Sequence, residues 1–144
     1  MRKKIFVDTN IIISGIFFSG NEAKLISLEE MDLYTSDVVI EELKEVAISK
    51  FRSLKMEDKR LALLEIERAL VDFELIISEK DYRKNILKAK ELIRKEKDSR
   101  ILAAVLTISP DYFVTGDKDF HNSRVKQLVA VRYTKEVLAE LGIK

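Results

Sequence analysis

The chain has 144 residues, with 26 basic and 25 acidic side chains, a single histidine and no cysteine. That length suits one domain, residues 1–144, and the balanced charge lacks the basic excess that by itself announces nucleic-acid binding. Without cysteine, disulfides and thiolate metal sites are excluded, and the lone His121 rules out a multi-histidine zinc site and weakens any Ser-His-Asp reading. A bound metal would have oxygen ligands, which points to Mg²⁺ or Mn²⁺.

In chain order, the apolar triplet Ile5–Val7 predicts a short buried strand ending at Asp8. "NIIISGIFF" follows, and then the polar Ser19–Asn21, so one interrupted helix or two short ones are expected. The basic start and apolar stretch imitate a signal peptide. Asp8 and Asn10 break the apolar region, so a cytoplasmic protein is expected, and no apolar run approaches the ~20 residues of a membrane span. Leu33–Ser36 predicts a second strand. Ser36 or Asp37 then caps a helix with Val39, Leu43 and Val46 on one face. A longer helix is expected over Met56–Val71, a third strand over Phe73–Ile77, and another helix over Asp81–Lys95. The charged run "RKEKD" breaks the period before a helix over Asp98–Ile108, which Pro110 prevents from continuing. Tyr112–Thr115 and Gln127–Arg132 complete the strands, and Thr134–Lys144 the helices, with Gly142 near the end. Short, unalternating apolar strands between helices predict a three-layer α/β/α sandwich around a parallel sheet.

In such a sheet, ligands bind outside the carboxyl ends of the strands where strand order reverses. Asp8 follows the first strand; Asp117 and Asp119 follow the fourth in "FVTGDKDF". Glu41 and Glu42 lie early in the helix after the second strand, and Asp98 opens the helix leading to the fourth. Carboxylates gathered in one crevice repel one another and take up protons unless a cation intervenes. A hard divalent ion resolves the conflict and suits hydrolysis of a phosphodiester better than acyl transfer. Each residue also has an ordinary alternative. Asp119 can form a turn, Asp98 can cap its helix, Glu41 and Glu42 can face solvent, Asn10 can cap the first helix, and Thr115 can simply end a strand. For His121, a turn or surface residue is the better expectation.

"VDTN", "SDVVIEEL", "DSRILAAVL" and "DYFVTGDKDF" together resemble the PIN-domain nucleases, most of all VapC-type and related toxin components of bacteria and archaea. The resemblance covers almost the whole chain in the right motif order. It implies a five-stranded parallel sheet and Mg²⁺- or Mn²⁺-dependent cleavage of RNA. Carried over by motif, Asp8, Glu42, Asp98 and Asp117 are the four family acids, and Asp119 matches an additional one. Asn10 and Thr115 match positions that steady the acids by hydrogen bonding. The same likeness implies an RNA substrate, pairing with an antitoxin, and a homodimer. Basic residues must then flank the acids: Lys118, Arg124 and Lys126 lie near that edge, with Arg52 and Lys55 after the second helix.

Competing folds fit less well. A haloacid-dehalogenase-like phosphatase needs a second Asp where this chain has Asn10, and a phospho-receiver needs its acceptor after strand three, where Ser78 stands. A PIN-like module that binds RNA or a partner without cutting remains the rival.

Overall fold

Strands β1 (Lys3–Val7), β2 (Met31–Ser36), β3 (Leu75–Ile77), β4 (Tyr112–Val114) and β5 (Val131–Arg132) pair in parallel throughout, in the order β3-β2-β1-β4-β5. This is a computed structural model describing residues 2–143; Met1 and Lys144, the two ends of the expected domain, lie outside them. The helices that flank the sheet are α1 (Thr9–Phe17), α2 (Asn21–Ile26), α3 (Asp37–Lys50), α4 (Lys59–Leu70), α5 (Glu79–Tyr82), α6 (Ile86–Leu92), α7 (Glu96–Ile108), α8 (Ser123–Lys126) and α9 (Thr134–Glu140). The architecture is the expected α/β sandwich.

The chain winds outward from β1 through β2 to β3, then returns to place β4 on the other side of β1. The β1/β4 boundary is therefore the switch point. Central strands covered by helices on both faces must be apolar on both faces. Ile5, Phe6, Val7, Phe113 and Val114 are accordingly all inaccessible to solvent. Phe6 meets Phe113 edge-to-face at 5.5 Å, and Phe113 meets Phe120 at 4.9 Å. Such contacts add to burial, which alone contributes about 1.5–3 kcal/mol for a large apolar side chain. Phe120 thus anchors the loop after β4 in the core.

Several elements differ from the expectation. The first helical region is two helices, and Gly15 lets them pack: a Cβ there would collide with the Ile26 side chain. Strand β3 is shorter than Phe73–Ile77 because it is the sheet edge, with Leu75 and Ile76 partly exposed. Strand β5 is only two residues, because the turn that ends α8 runs on into the expected strand: the Gln127 N–H donates to Ser123 O, and the Leu128 and Val129 N–H groups donate to Val125 O. The expected helix over Asp81–Lys95 is divided into α5, a 3₁₀ turn at Arg83–Asn85, and α6. Asn85 Nδ2 donates to Thr107 Oγ1 at 2.8 Å and ties that turn to α7. Helix α7 begins at Glu96 rather than Asp98, so Asp98 lies inside the first turn and is not its cap.

Candidate active site

The Asp8 side chain projects from the end of β1, at the switch point. Its backbone N–H donates to Val114 O at 3.1 Å, joining the ends of β1 and β4. The side chain is 5% exposed; Oδ1 accepts the Thr9 N–H at 2.8 Å and Oδ2 accepts the Thr115 hydroxyl at 2.6 Å. Burial pushes the Asp8 pKa up to about 6, opposed by those two hydrogen bonds and assisted by the charges of Glu42 and Asp117. Asp8, rather than Asn10, caps α1.

Thr115 is fully buried and links two acids. Its hydroxyl donates to Asp8 and accepts the Asp117 N–H at 3.0 Å, while its own N–H donates to Arg132 O. Asp117 Oδ1 in turn accepts the Asp119 N–H at 2.9 Å, closing a tight turn above Phe120. His121 Nε2 lies 2.8 Å from Thr115 O, and its ring stacks on Tyr133 with centroids 3.8 Å apart. His121 therefore braces the loop from within its turn, the turn position being one of the two expected of it.

Side-chain oxygens of Asp98, Asp117 and Asp119 lie within 4.8 Å of one another. Asp98 is half-buried, and its Oδ2 is enclosed with no hydrogen-bond partner. Burial, then the charge of Asp117, raise its pKa; Lys95 acts in the opposite sense, and Asp119 and Glu42 raise it further. Asp8 and Glu42 stand outside that set of mutually close oxygens. They join Asp117 in lining a cleft of about 400 Å³ with Asn10, Ser14 and Lys50. Asp117 is common to the trio and the cleft, so the five acids form one two-lobed site centred on it. Glu41 is exposed and does not line the cleft. Asn10 packs over Gly116, where a Cβ would approach Asn10 Nδ2 to 2.9 Å; among the described residues Asn10 makes no hydrogen bond to an acid.

A carboxylate oxygen enclosed without a donor is costly, and an all-oxygen donor set suits a hard divalent ion. The residues present therefore fit Mg²⁺ or Mn²⁺.

The family model described as a PIN domain matches residues 6–142. The chain belongs to the PIN domain family. No curated protein matches this PIN domain significantly in sequence. Solved structures do resemble it. One is VapBC2 from Rickettsia felis bound to a DNA fragment from its promoter, at TM-score 0.61 and 18% identity, covering 90% of this chain and 98% of that one. Another is VapBC-1 from nontypeable Haemophilus influenzae, at TM-score 0.67 and 17% identity, covering 92% and 98%. At those identities the likeness concerns the fold.

Two groups of basic residues in this PIN domain bear on the acids. Lys95 Nζ pairs with Asp119 Oδ2 at 2.9 Å, and Lys97 Nζ with Glu42 Oε2 at 3.3 Å. The hydrogen bond that Lys95 donates to Asp119, with the surrounding acids, raises the Lys95 pKa. Neither lysine, nor Lys50, was expected at the site. Their only sequence signal was adjacency to Asp98 or to the end of α3, and both runs read as solvated surface. Lys118 is exposed in the 3₁₀ turn with Asp119, and Arg124 and Lys126 are exposed on α8; none of the three lines the cleft.

Proposed function

We propose that this PIN domain is a divalent-metal-dependent endoribonuclease that hydrolyses RNA phosphodiester bonds with Mg²⁺ or Mn²⁺. The observation that carries this reading is the Asp98–Asp117–Asp119 trio with its enclosed, unpartnered Asp98 oxygen, beside a near-fully buried Asp8. A bound ion would supply Lewis acidity, lowering the pKa of water and offsetting charge on the phosphoryl oxygens.

Asp8, Asp98 and Asp117 would hold the ion directly or through water, and Glu42 and Asp119 would position waters or a second ion. Thr115 and the Thr9 N–H fix both oxygens of Asp8, so its carboxylate is oriented before substrate arrives. Lys95 and Lys97 hold the outer acids only through surface pairs. Pairs of that kind contribute little and exchange readily. Lys50 faces the same cleft and offers positive charge to a phosphate.

The likeness to VapBC assemblies supports a toxin paired with an antitoxin, and a homodimer and a cytoplasmic setting are part of the same proposal. Among the described residues, no helix is long and apolar enough to cross a membrane.

The test is a Mn²⁺ titration of wild type and Asp8→Asn, with cleavage of a mixed-sequence RNA followed in the same samples. Cleavage that saturates with metal and disappears in the variant is expected. Absent cleavage, with equal metal binding by both proteins, would overturn the assignment and favour a module that binds RNA without cutting it.

A further inference from the structure

An acidic cleft repels the backbone of its own proposed substrate, so something beside it must hold the strand. The lysines nearest the acids are already engaged, Lys95 on Asp119 and Lys97 on Glu42. A second concavity of about 460 Å³ adjoins the first and shares Lys50 with it. Its lining is Ser49, Lys50, Phe51, Arg52, Ser53 and Lys59, with three cations and no acid. Among the described residues, none of Lys50, Arg52 and Lys59 forms an ion pair with a carboxylate. The Arg52 guanidinium lies 5.7 Å from the Phe51 ring centroid, beside two serine hydroxyls.

The ordinary explanation for basic residues here is that they satisfy the carbonyl end of α3. The last helical carbonyl and the two that follow it are already satisfied by backbone. Lys50 O accepts the Leu54 N–H at 3.1 Å, Phe51 O the Met56 N–H at 3.0 Å, and Arg52 O the Lys55 N–H at 3.0 Å. Lys55 closes this turn in the left-handed region at φ 62°. The backbone that carries Arg52 is therefore fixed, and its side chain is not required as a cap. Lys55 does not line the groove.

From this geometry we infer that the Lys50–Arg52–Lys59 groove is a phosphate-binding track for single-stranded RNA, holding the strand that flanks the bond placed in the acidic cleft. The inference rests on the RNA-cleaving reading for its substrate class. Cations along a groove track a nucleic-acid backbone without regard to sequence, and an aromatic ring with an arginine offers a surface for a base. Lys50 stands where the two concavities meet and sets the order in which the strand passes from one to the other.

The test uses the full chain in Ca²⁺ and measures binding of a labelled single-stranded RNA by fluorescence anisotropy across a salt series. Three proteins are compared: wild type, Arg52→Ala/Lys59→Ala, and the charge-keeping Arg52→Lys/Lys59→Arg. Both positions are exposed, so the fold is expected to survive. Each cation removed from the phosphate backbone lowers the slope of log affinity against log salt by about 0.7, so the alanine pair should lower it by about 1.4. The charge-keeping pair should retain the wild-type slope. An alanine variant with the wild-type slope, or a wild type that does not bind RNA, overturns the track. A reduced slope in a protein that cuts no RNA with Mn²⁺ would leave the track standing and remove only the nuclease reading.

Discussion

Two strand ends in this sheet carry nearly the same local sequence. "SEKDY" follows β3 and "GDKDF" follows β4, each an acid, a lysine and an aspartate ahead of an aromatic residue. In both, that aromatic is fully buried: Tyr82 in one, Phe120 in the other. The acids meet different fates. After β3, Glu79 pairs with Arg100 at 3.4 Å and Arg83 at 4.0 Å, and Asp81 accepts from Ser78. Asp37 accepts both the Glu79 N–H and the Tyr82 hydroxyl, so that corner is satisfied internally. After β4, Asp117 and Asp119 meet Asp98, and Thr115 ties Asp117 to Asp8. The local sequence makes a strand end and an anchored turn in either place. Only the position next to β1, at the switch point, adds a carboxylate with an enclosed, unpartnered oxygen, that of Asp98.

That contrast can be broken most severely at the acids. Asp117→Asn should lower RNA cleavage on the order of a thousandfold, because this oxygen pair serves both lobes of the site. Asp81→Asn, its counterpart after β3, should leave the rate within about twofold, since surface substitutions away from a site are usually small. Steady-state cleavage with the two proteins side by side checks the pair.

The anchors should differ in stability. Phe120→Ala removes a ring packed on Phe113 and should cost about 3–5 kcal/mol. Tyr82→Phe keeps its ring and loses one hydrogen bond to Asp37, at a cost of about 1 kcal/mol. Urea unfolding of both variants measures the difference.

Proton uptake sharpens the comparison further. The Asp8 pKa rises from 3.8 to about 6 on folding, so between those values the folded chain binds more protons than the unfolded one. Without metal, stability should therefore be highest below pH 4 as far as Asp8 is concerned, and fall as pH rises to 6. The size is at most about 3 kcal/mol. The difference between wild type and Asp8→Asn, from urea curves in chelator at several pH values, isolates this contribution. A difference independent of pH would contradict it.

The smallest effect is expected at the hydroxyls. Thr115→Val should weaken Mn²⁺ binding about 10- to 100-fold, the range for residues that orient a ligand without touching the metal. Ser78→Ala, removing a long 3.4 Å contact, should leave Mn²⁺ binding unchanged. Calorimetric titration of both variants reads this out.

Much of this was legible in the chain. Apolar triplets running into Asp8 and toward Asp117 placed both at carboxyl ends of buried strands, and the helices between them required parallel pairing. The extents of β3 and β5 were not legible, because edge pairing and the backbone turn that follows α8, rather than hydrophobicity, limit them. Neither was the engagement of Lys95 and Lys97, which sit in a charged run expected to break the helix, whereas α7 already starts at Glu96 with Lys95 as its N-cap. The matching "KD" pairs at Lys80–Asp81 and Lys118–Asp119 could not be told apart locally. Strand order separates them, and strand order is a property of the whole chain.

The measurement that bears most directly on this account is Mn²⁺ binding without RNA, by calorimetry, to wild type, Asp117→Asn and Asp81→Asn. Saturable binding in wild type and Asp81→Asn, lost in Asp117→Asn, is the expected result. Equal binding by all three, or loss in Asp81→Asn instead, would contradict a metal site centred on Asp117.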